Sequence, residues 1–262
     1  MNYFVIFAIN KSSGGSLFHI LVTLALGIFL LYRGLKLLKF KRMVINMPTS
    51  KIKSLAMGFV EINGQVEEGE ELLKSPINKK DCVYYDLSIE RYERRGKRSS
   101  WVTIKSDDDS TLFYLNDGSD KVLVDPNNAE YNFKTDYKIQ TGLFSEMPEK
   151  VKKYCDREEI AKSFLGIKHK LRFTEKYIEP NDSLYVLGSA VPNDKKDILE
   201  NSGSMKLGED NSHPYYYISD YSEKEILKGY GWKIPLQIFS GALMVIGMVA
   251  LIIDKAVKYR YF

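Results

Sequence analysis

The stretch CVYYDLSIERYERRGKR, Cys82–Arg98, decides the fold. Within Val83–Ile89 every second side chain is apolar or aromatic, and Asp86 and Ser88 lie between them. Because successive side chains of a strand point to opposite faces, this alternation predicts a half-buried β-strand. The charged run after it predicts a solvated hairpin tip at Arg95–Gly96.

More short strands follow this hairpin. WVTIK (101–105), TLFYLN (111–116) and KVLVDP (121–126) are separated by the turn-rich segments SDDDS and NDGSD, as in a β-meander. We expect Asp107–Asp109 to form an exposed loop, because three adjacent carboxylates must stay hydrated.

The rest of the central region also favours strands. The run Leu184–Val191 is apolar on both faces and predicts a buried strand, and HPYYYIS (213–219) predicts the last one. Helical patterns are confined to 157–167 and to 222–232, and the second begins with a capping-box pattern. Residues 45–232 are therefore expected to form one mainly antiparallel β domain, a small barrel or sandwich with a minor helical part.

An apolar run lies near each end of the chain. The first, 16–39, and the second, 234–253, are each long enough to cross about 30 Å of hydrocarbon as a helix. A cleaved signal peptide is the alternative for the first run, but bases rather than small residues follow it, which favours a retained anchor. The expected fold class is thus a membrane protein in which two transmembrane α-helices flank the β domain, with tails at 1–15 and 254–262.

The charge distribution separates the flanks from the domain. The chain carries +4 overall, but residues 43–233 carry −4, with 29 Lys and Arg against 33 Asp and Glu. A domain of negative net charge is a poor nucleic-acid binder, so we expect no nucleic-acid partner. Five bases lie in the ten residues 33–42, at the end of the first apolar run, and one, Lys11, precedes the run, so the positive-inside rule predicts a cytoplasmic central domain in a prokaryote.

Two groups of bases are candidates for contact with a membrane surface or another anion. The first, which we call the collar, follows the uncharged stretch 17–32 of the first apolar run and comprises Arg33, Lys36, Lys39, Lys41 and Arg42. The second lies at the hairpin tip and comprises Arg94, Arg95 and Lys97. Basic segments near anionic lipid gain about 1 kcal/mol per charge. The alternative for the tip is an ordinary solvated turn.

No catalytic, cofactor-binding or metal-binding residue is predicted. The three aspartates of LNDGSDKVLVDP (115–126) lack the spacing of a calcium loop, and Asn-Asp-Gly-Ser-Asp is typical of a hairpin turn. For Cys82 and Cys155 the reduced state is the simpler expectation in a cytoplasmic domain. We expect His169 and His213 at the surface or at strand edges rather than as catalytic bases.

The segment TSKIKSLAMGFVEINGQV (49–66) precedes the hairpin. Its hydroxyl side chains have no neighbouring histidine or acid to activate them, and no glycine-rich turn is present to bind a phosphate. We interpret it as the neck that joins the anchor to the domain, followed by a first strand with a turn at Asn63–Gly64.

Five blocks of this sequence, in this order, resemble the GIDE family, also called the BAM (beside a membrane) domain. They are PTSKIKSLAMGFVEINGQV, LLKSPINKKDCVYYDLSIERYERRGKR, FYLNDGSDKVLVDP, EKYIEPNDSLYVLGSA and YYYISDYSEKEIL. The resemblance covers residues 45–232. In mitochondrial members the domain lies between two transmembrane helices, and a RING finger after the second helix acts as a RING-type E3 ubiquitin or SUMO ligase.

The resemblance leaves two functional hypotheses. The sequence ends at Phe262, nine residues past Ile253, and contains no RING, so we expect a RING-less, prokaryotic-type member without zinc. The first hypothesis is a membrane-anchored module with no catalytic site of its own, whose partners are the lipid bilayer or an unidentified protein. The second is an enzyme or ligase component that acts with a separately encoded partner, and Cys82 and Cys155 are then the candidate thiols.

Overall fold

The structure is a computed structural model that describes residues 13–142, 146–160, 163–164, 167–193, 205–210, 212–213 and 215–260. Lys11 and most of the expected N-terminal tail lie outside these residues, and residues 13–15 already belong to a helix. The chain divides into two units, which we describe separately. One is a helical unit formed by the two ends of the chain, and the other is a β unit, Pro48–Ser222.

The described residues form four α-helices. They are α1 (Ser13–Asn46), α2 (Glu149–Arg157), α3 (Glu223–Tyr230) and α4 (Lys233–Arg260). The helical unit contains α1, α3 and α4, and α2 belongs to the β unit.

Two stretches of the helical unit are long and apolar enough to cross a membrane. They are Phe18–Asn46 and Glu223–Lys255, with mean hydropathies of 1.8 and 2.4. Only 17% and 6% of their apolar windows are buried. The core helix of a soluble protein would instead be mostly buried. The expected pair of long apolar helices is confirmed, and it supports a membrane protein.

Glycines bring α1 and α4 close together. A Cβ atom on Gly241 would lie 2.7 Å from the backbone nitrogen of Leu31 and 2.9 Å from the carbonyl oxygen of Gly27. A Cβ atom on Gly34 would lie 2.8 Å from Cγ1 of Ile238. Small residues permit this approach, which is the usual packing of helices in lipid.

The β unit contains fifteen strands within the described residues. They are β1 (Gly58–Glu67), β2 (Leu73–Lys74), β3 (Asp81–Cys82), β4 (Tyr84–Arg95), β5 (Arg98–Ser110), β6 (Phe113–Asn116), β7 (Lys121–Val124), β8 (Glu130–Asn132), β9 (Tyr137–Gln140), β10 (Ser163–Phe164), β11 (Ile167–Lys168), β12 (Leu171–Ile178), β13 (Ser183–Pro192), β14 (Met205–Gly208) and β15 (Tyr217–Ser219).

Five of these strands close into a barrel. They are hydrogen-bonded in the order β1-β6-β7-β14-β13, and β13 pairs back to β1. All of these barrel pairs are antiparallel except β14 with β7, which is parallel. Beyond the barrel, β15 and then β8 extend the sheet from β13. The expected mainly antiparallel β domain is confirmed, and of the two expected architectures the barrel is the one observed.

The barrel interior is apolar. Its core includes Ile62, Val66, Leu115, Val124, Val186, Leu207 and Ile218, each no more than 1% exposed. The predicted buried strand at Leu184–Val191 is confirmed as β13, in which seven consecutive residues are buried. Fully burying one such side chain stabilises a fold by about 1.5–3 kcal/mol, so this core fixes the barrel.

A second sheet has the order β5-β4-β12-β9 and is antiparallel throughout. One face of it packs against α2. The apolar cluster between them includes Leu87, Ile89 and Phe173 from the sheet and Val151 and Tyr154 from α2.

Three local expectations were wrong. Asp107–Asp109 is part of β5 and pairs with β4. β5 is an edge strand, so its backbone can be hydrogen-bonded to β4 while the carboxylates remain in contact with water. Asn63–Gly64 is not a turn but continues β1. Gly64 is required there because a Cβ atom would lie 2.7 Å from the carbonyl oxygen of Asn116 on β6.

The third wrong expectation is the helix at 157–167. The helix is α2, Glu149–Arg157, and it ends where that prediction began. Glu159 has a φ of 53°, the left-handed conformation that terminates helices. Of the region that follows, 161–162 and 165–166 lie outside the described residues, and the rest contains β10 and β11.

Candidate interaction surface

The long hairpin of β4 and β5 extends beyond the sheet that contains it. β4 pairs with β12 from Tyr84 to Arg91, but its pairing with β5 continues to Arg95 and Arg98. We call the extension, residues 92–101, the arm. Its turn contains Gly96 with a φ of 61°, a conformation that suits glycine in a two-residue hairpin. The predicted hairpin tip is confirmed.

Aromatic and basic side chains cluster at the base of the arm. Tyr92 and Trp101 are cross-strand partners with ring centroids 5.2 Å apart. Lys170 Nζ lies 4.8 Å from the Tyr92 ring centroid, and Arg172 Cζ lies 3.9 Å from that of Trp101. Cation–π contacts of this kind contribute about 0.5–1 kcal/mol at exposed sites.

The charges near the base of the arm are paired, whereas those at its tip differ. Nη1 of Arg172 lies 3.1 Å from Oε2 of Glu90, and Nη2 of Arg91 lies 2.6 Å from Oε1 of Glu93. At the tip, the side chains that the structure describes are Arg94, Lys97 and Arg98, which are exposed. Among described residues none of these three forms an ion pair with a carboxylate. The side chain of Arg95, the remaining predicted tip base, lies outside the described part.

The collar is part of α1. Arg33, Lys36, Lys39 and Arg42 are exposed and Lys41 is half-buried. Successive exposed members are three residues apart, so each is rotated by about 60° from the one before. They cover one side of the last three turns, while Gly34, Phe40 and Val44 are buried. The structure describes the collar and the arm in different units.

Sequence reasoning found the tip bases but missed Tyr92, Trp101, Lys170 and Arg172 as a cluster. Their partnership depends on the register of three strands. A two-residue turn at Gly96–Lys97 places Tyr92 opposite Trp101, so this pair could have been predicted from the position of the turn.

The side chain of Asp117, in the predicted hairpin turn, has a structural role, because it connects this turn to the segment before β1. Asp117 accepts hydrogen bonds from the backbone N–H of Ile52, at 3.2 Å, and from the backbone and hydroxyl of Ser119. Burial alone would raise its pKa, but the bonds from Ser119, Ile52 and Asp120 outweigh burial and lower the pKa to about 2. No group of three or more His, Cys, Asp or Glu arranged for a metal ion occurs in the described part of the chain.

The thiols are poorly placed for chemistry. Cys82 and Cys155 are 0% and 1% exposed, and no disulfide joins them. Burial raises the pKa of the Cys82 thiol to about 12, with a further contribution from Glu175. A thiol of this pKa is protonated at neutral pH and is a weak nucleophile.

His213 was expected at the surface, and this is where it lies. Its side chain is 45% exposed, and its ring stacks on Phe59 with centroids 5.1 Å apart. Ser212 donates its hydroxyl hydrogen bond to Asp210 and not to His213, which makes this a turn rather than a nucleophile–base arrangement.

Two buried carboxylates were also missed. Glu61, 1% exposed, accepts hydrogen bonds of 2.9 Å from the hydroxyls of Thr49 and Tyr185. Glu175, 0% exposed, accepts bonds from the backbone N–H of Ile77 and from Asn78. Their donors come from distant parts of the chain, so no local pattern marks them. Buried carboxylates normally have such donors.

One recess among the described residues of the β unit is apolar and has no room for a water molecule. It is lined by Val83, Tyr84, Phe113, Pro126, Tyr131, Phe133, Ile178, Leu184 and Ile218. This recess offers no site for a charged partner, whereas the arm carries the exposed cations Arg94, Lys97 and Arg98 on the outside of the β unit.

Comparison with known families identifies the chain. The model of the GIDE family, described as E3 Ubiquitin ligase, matches residues 85–252, from β4 into α4. Comparison with curated proteins and with solved structures finds no match. The matched region is well over half of the sequence and contains the arm. The chain therefore belongs to the GIDE family.

Proposed function

We propose that this protein is a membrane-anchored interaction module whose β unit contacts anionic lipid headgroups through the arm. The observation that supports it is the composition of the arm. Three exposed cations, Arg94, Lys97 and Arg98, lie beyond the rings of Tyr92 and Trp101. In our proposal the module has no catalytic site of its own.

The chemistry of the arm suits an anionic membrane surface. Each Lys or Arg near such a surface gains about 1 kcal/mol. Tryptophan and tyrosine are enriched at the membrane–water interface, since their rings are apolar and carry one polar group. The flexible stems of the tip cations can remain over apolar material while their charges stay in water.

The anchors keep the β unit close to a bilayer. The β unit begins at Pro48 and ends at Ser222, and the two candidate spans end at Asn46 and begin at Glu223. We further propose that the β unit is cytoplasmic, because the collar lies in the part of the first span nearest the β unit and basic residues are retained on the cytoplasmic side. The cytoplasmic leaflet is also the one that carries anionic lipid.

Trp101 offers a direct test. The chain has two tryptophans, and Trp232→Phe leaves Trp101 as the reporter. The full chain would be reconstituted in vesicles of phosphatidylcholine with or without phosphatidylserine, together with lipids that carry a bromine quencher near the headgroup. We expect Trp101 quenching only with phosphatidylserine, and its loss at high salt because screening weakens the attraction.

Charge reversal supplies the matched control. Arg94→Glu with Lys97→Glu should abolish the quenching that depends on phosphatidylserine. Lys152→Glu with Lys153→Glu, at two exposed positions of α2, changes the net charge equally and should leave it intact. Quenching that is equal with and without phosphatidylserine would contradict the proposal. Protection of Trp101 by a co-purified protein in place of lipid would also contradict it.

The second candidate is a component of a ubiquitin-type ligase, which the description of the matching family favours. In this alternative the chain acts with a separately supplied partner. The raised pKa and burial of Cys82 argue against a thiol-based transfer by that residue. Reactions with activating and conjugating enzymes and ubiquitin would test it. Conjugates that require this chain and persist in a Cys82→Ser, Cys155→Ser variant would support a scaffold role, and their absence would contradict the candidate.

A further inference from the structure

The strand β5 forms an open edge of the four-stranded sheet. β4 is hydrogen-bonded to one side of it, and no strand of the described chain pairs with the other side. None of its thirteen residues is buried: eight are exposed and five are half-buried. Such an edge presents a row of backbone N–H and C=O groups to which a further strand can bond.

The charge along this edge changes sign from one end to the other. Arg98 begins β5, directly after Lys97, and Asp107–Asp109 lies at its end. The sequence between them, SSWVTIKS, contains no glycine or proline, and Trp, Val, Thr and Ile favour strands. A strand with this polarity is complementary to an antiparallel copy of itself, because each basic start then lies beside an acidic end.

We propose that β5 pairs antiparallel with β5 of a second copy of this chain, which joins the two four-stranded sheets into one. The pairing is symmetric, with a two-fold axis close to Thr103 and Ile104. Lys97 and Arg98 of each copy lie beside Asp107–Asp109 of the other. This interface shares Lys97 and Arg98 with the arm, but it rests on the strand edge, and its test detects a crosslink between two chains rather than contact with lipid.

A bulge shapes the interface. Ile89 of β4 pairs with Lys105 and Glu90 pairs with Thr103, which leaves Ile104 as the extra residue. Bulges interrupt a ladder and discourage unspecific pairing at edges. This bulge lies in the middle of β5, so each copy offers two segments, 98–102 and 105–109, and each segment faces the other type in the partner. A parallel pair would instead oppose like charges, which destabilises it.

Cysteine crosslinking of the full chain in dilute proteoliposomes tests the geometry. Thr103→Cys lies near the proposed axis, where opposed Cα atoms of antiparallel strands are about 4.5–5.5 Å apart, within the range of a disulfide. We expect a crosslinked dimer on mild oxidation. Lys138→Cys is the control, because Lys138 is also exposed and lies on β9, the opposite edge of the same sheet, so this variant should stay monomeric.

Charge reversal tests the polarity. Two charge-reversed variants are made in the Thr103→Cys background: Lys97→Asp with Arg98→Asp, and Asp107→Lys with Asp108→Lys and Asp109→Lys. When either is reconstituted alone, the yield of crosslinked dimer should fall at least about tenfold, since like charges then oppose each other. Mixed together, they should regain it as a heterodimer, because both ends are complementary again. The recovery also shows that both variants are folded.

Four results would overturn the inference. One is equal crosslinking at Thr103→Cys and Lys138→Cys, which would indicate random collision. Another is a crosslink that survives both reversals. A third is failure of the mixed variants to recover the dimer. The last is that the unreversed chain forms no dimer.

Discussion

The hydroxyl of Tyr185 on β13 donates a 2.9 Å hydrogen bond to Oε2 of Glu61 on β1. The two residues are 2% and 1% exposed, and Thr49 donates a second bond to the other carboxylate oxygen. These bonds satisfy a buried carboxylate, and they fix the neck segment against the first strand of the barrel. The neck predicted from the sequence is thus attached through a side chain that sequence reasoning did not single out.

Removal of the Tyr185 hydroxyl should destabilise the β unit. Tyr185→Phe removes the hydrogen bond that the Tyr185 hydroxyl donates to the buried carboxylate of Glu61, at a cost of about 1–3 kcal/mol. Thermal unfolding of the full chain in detergent micelles would measure it. Tyr177→Phe removes a hydroxyl from half-buried Tyr177 on β12 and should cost much less. Equal losses in the two variants would contradict the role given to Glu61.

Truncation of Glu175 should loosen the loop before β3. Its carboxylate accepts the N–H of Ile77 at 2.7 Å and the side-chain amide of Asn78 at 2.5 Å. Glu175→Ala leaves these donors buried or half-buried and should cost about 2 kcal/mol or more. Hydrogen exchange should show faster exchange of the Ile77 amide. Glu179→Ala, at an exposed ion pair with Lys80, is the control and should cost under about 1 kcal/mol. Unchanged exchange at Ile77 would contradict this reading.

Alternation and apolar run length were sufficient to predict the two long helices, the hairpin tip and the buried strand at Leu184–Val191. These features depend on local sequence, because a strand face or a span repeats within a few residues. Barrel closure was beyond such reasoning. It depends on the pairing of β1 with both β13 and β6, which are distant in the chain.

Two of the three wrong expectations share one physical cause. Asp107–Asp109 and Asn63–Gly64 have the composition of turns, but tertiary pairing overrides local preference when a strand partner is available. The same holds for the candidate surface. The bases of the tip are adjacent in sequence, whereas Arg172 meets Trp101 only through the pairing of β12, β4 and β5.

Asp117→Asn should remove stability in a manner that depends on pH. The folded pKa of Asp117 is lowered from 3.8 to about 2, so its ionised form stabilises the fold above pH 3.8 and this contribution disappears as pH falls through about 2. The deficit of the variant should therefore be largest at neutral pH and shrink across that interval. Asp120→Asn, exposed in the same turn, is the control for unfolding midpoints measured along the pH series. A deficit that is constant with pH would refute this assignment.

The natural thiols should resist alkylation in the folded chain. Cys82 and Cys155 are buried, and the pKa of Cys82 is raised to about 12, so little thiolate exists at neutral pH. Iodoacetamide should label neither residue until denaturant is added, as measured by intact mass. Thr103→Cys, at an exposed position, should be labelled rapidly under the same conditions. Fast labelling of Cys82 in the folded chain would restore it as a candidate nucleophile.

Two glycines of α4 should respond in opposite ways to the same substitution. A Cβ atom on Gly241 would lie 2.7 Å from the backbone nitrogen of Leu31, which cannot move aside as a side chain could. A Cβ atom on Gly247 meets nothing within 4 Å. Gly241→Ala should therefore separate the helices at a cost of about 1–3 kcal/mol, and Gly247→Ala should be neutral or stabilising. Thermal unfolding in micelles would measure the change in stability, and disulfide formation by a cysteine pair across α1 and α4 would measure the separation of the helices. Equal stability and equal disulfide formation in the two variants would show that close packing at Gly241 does not hold the helices together.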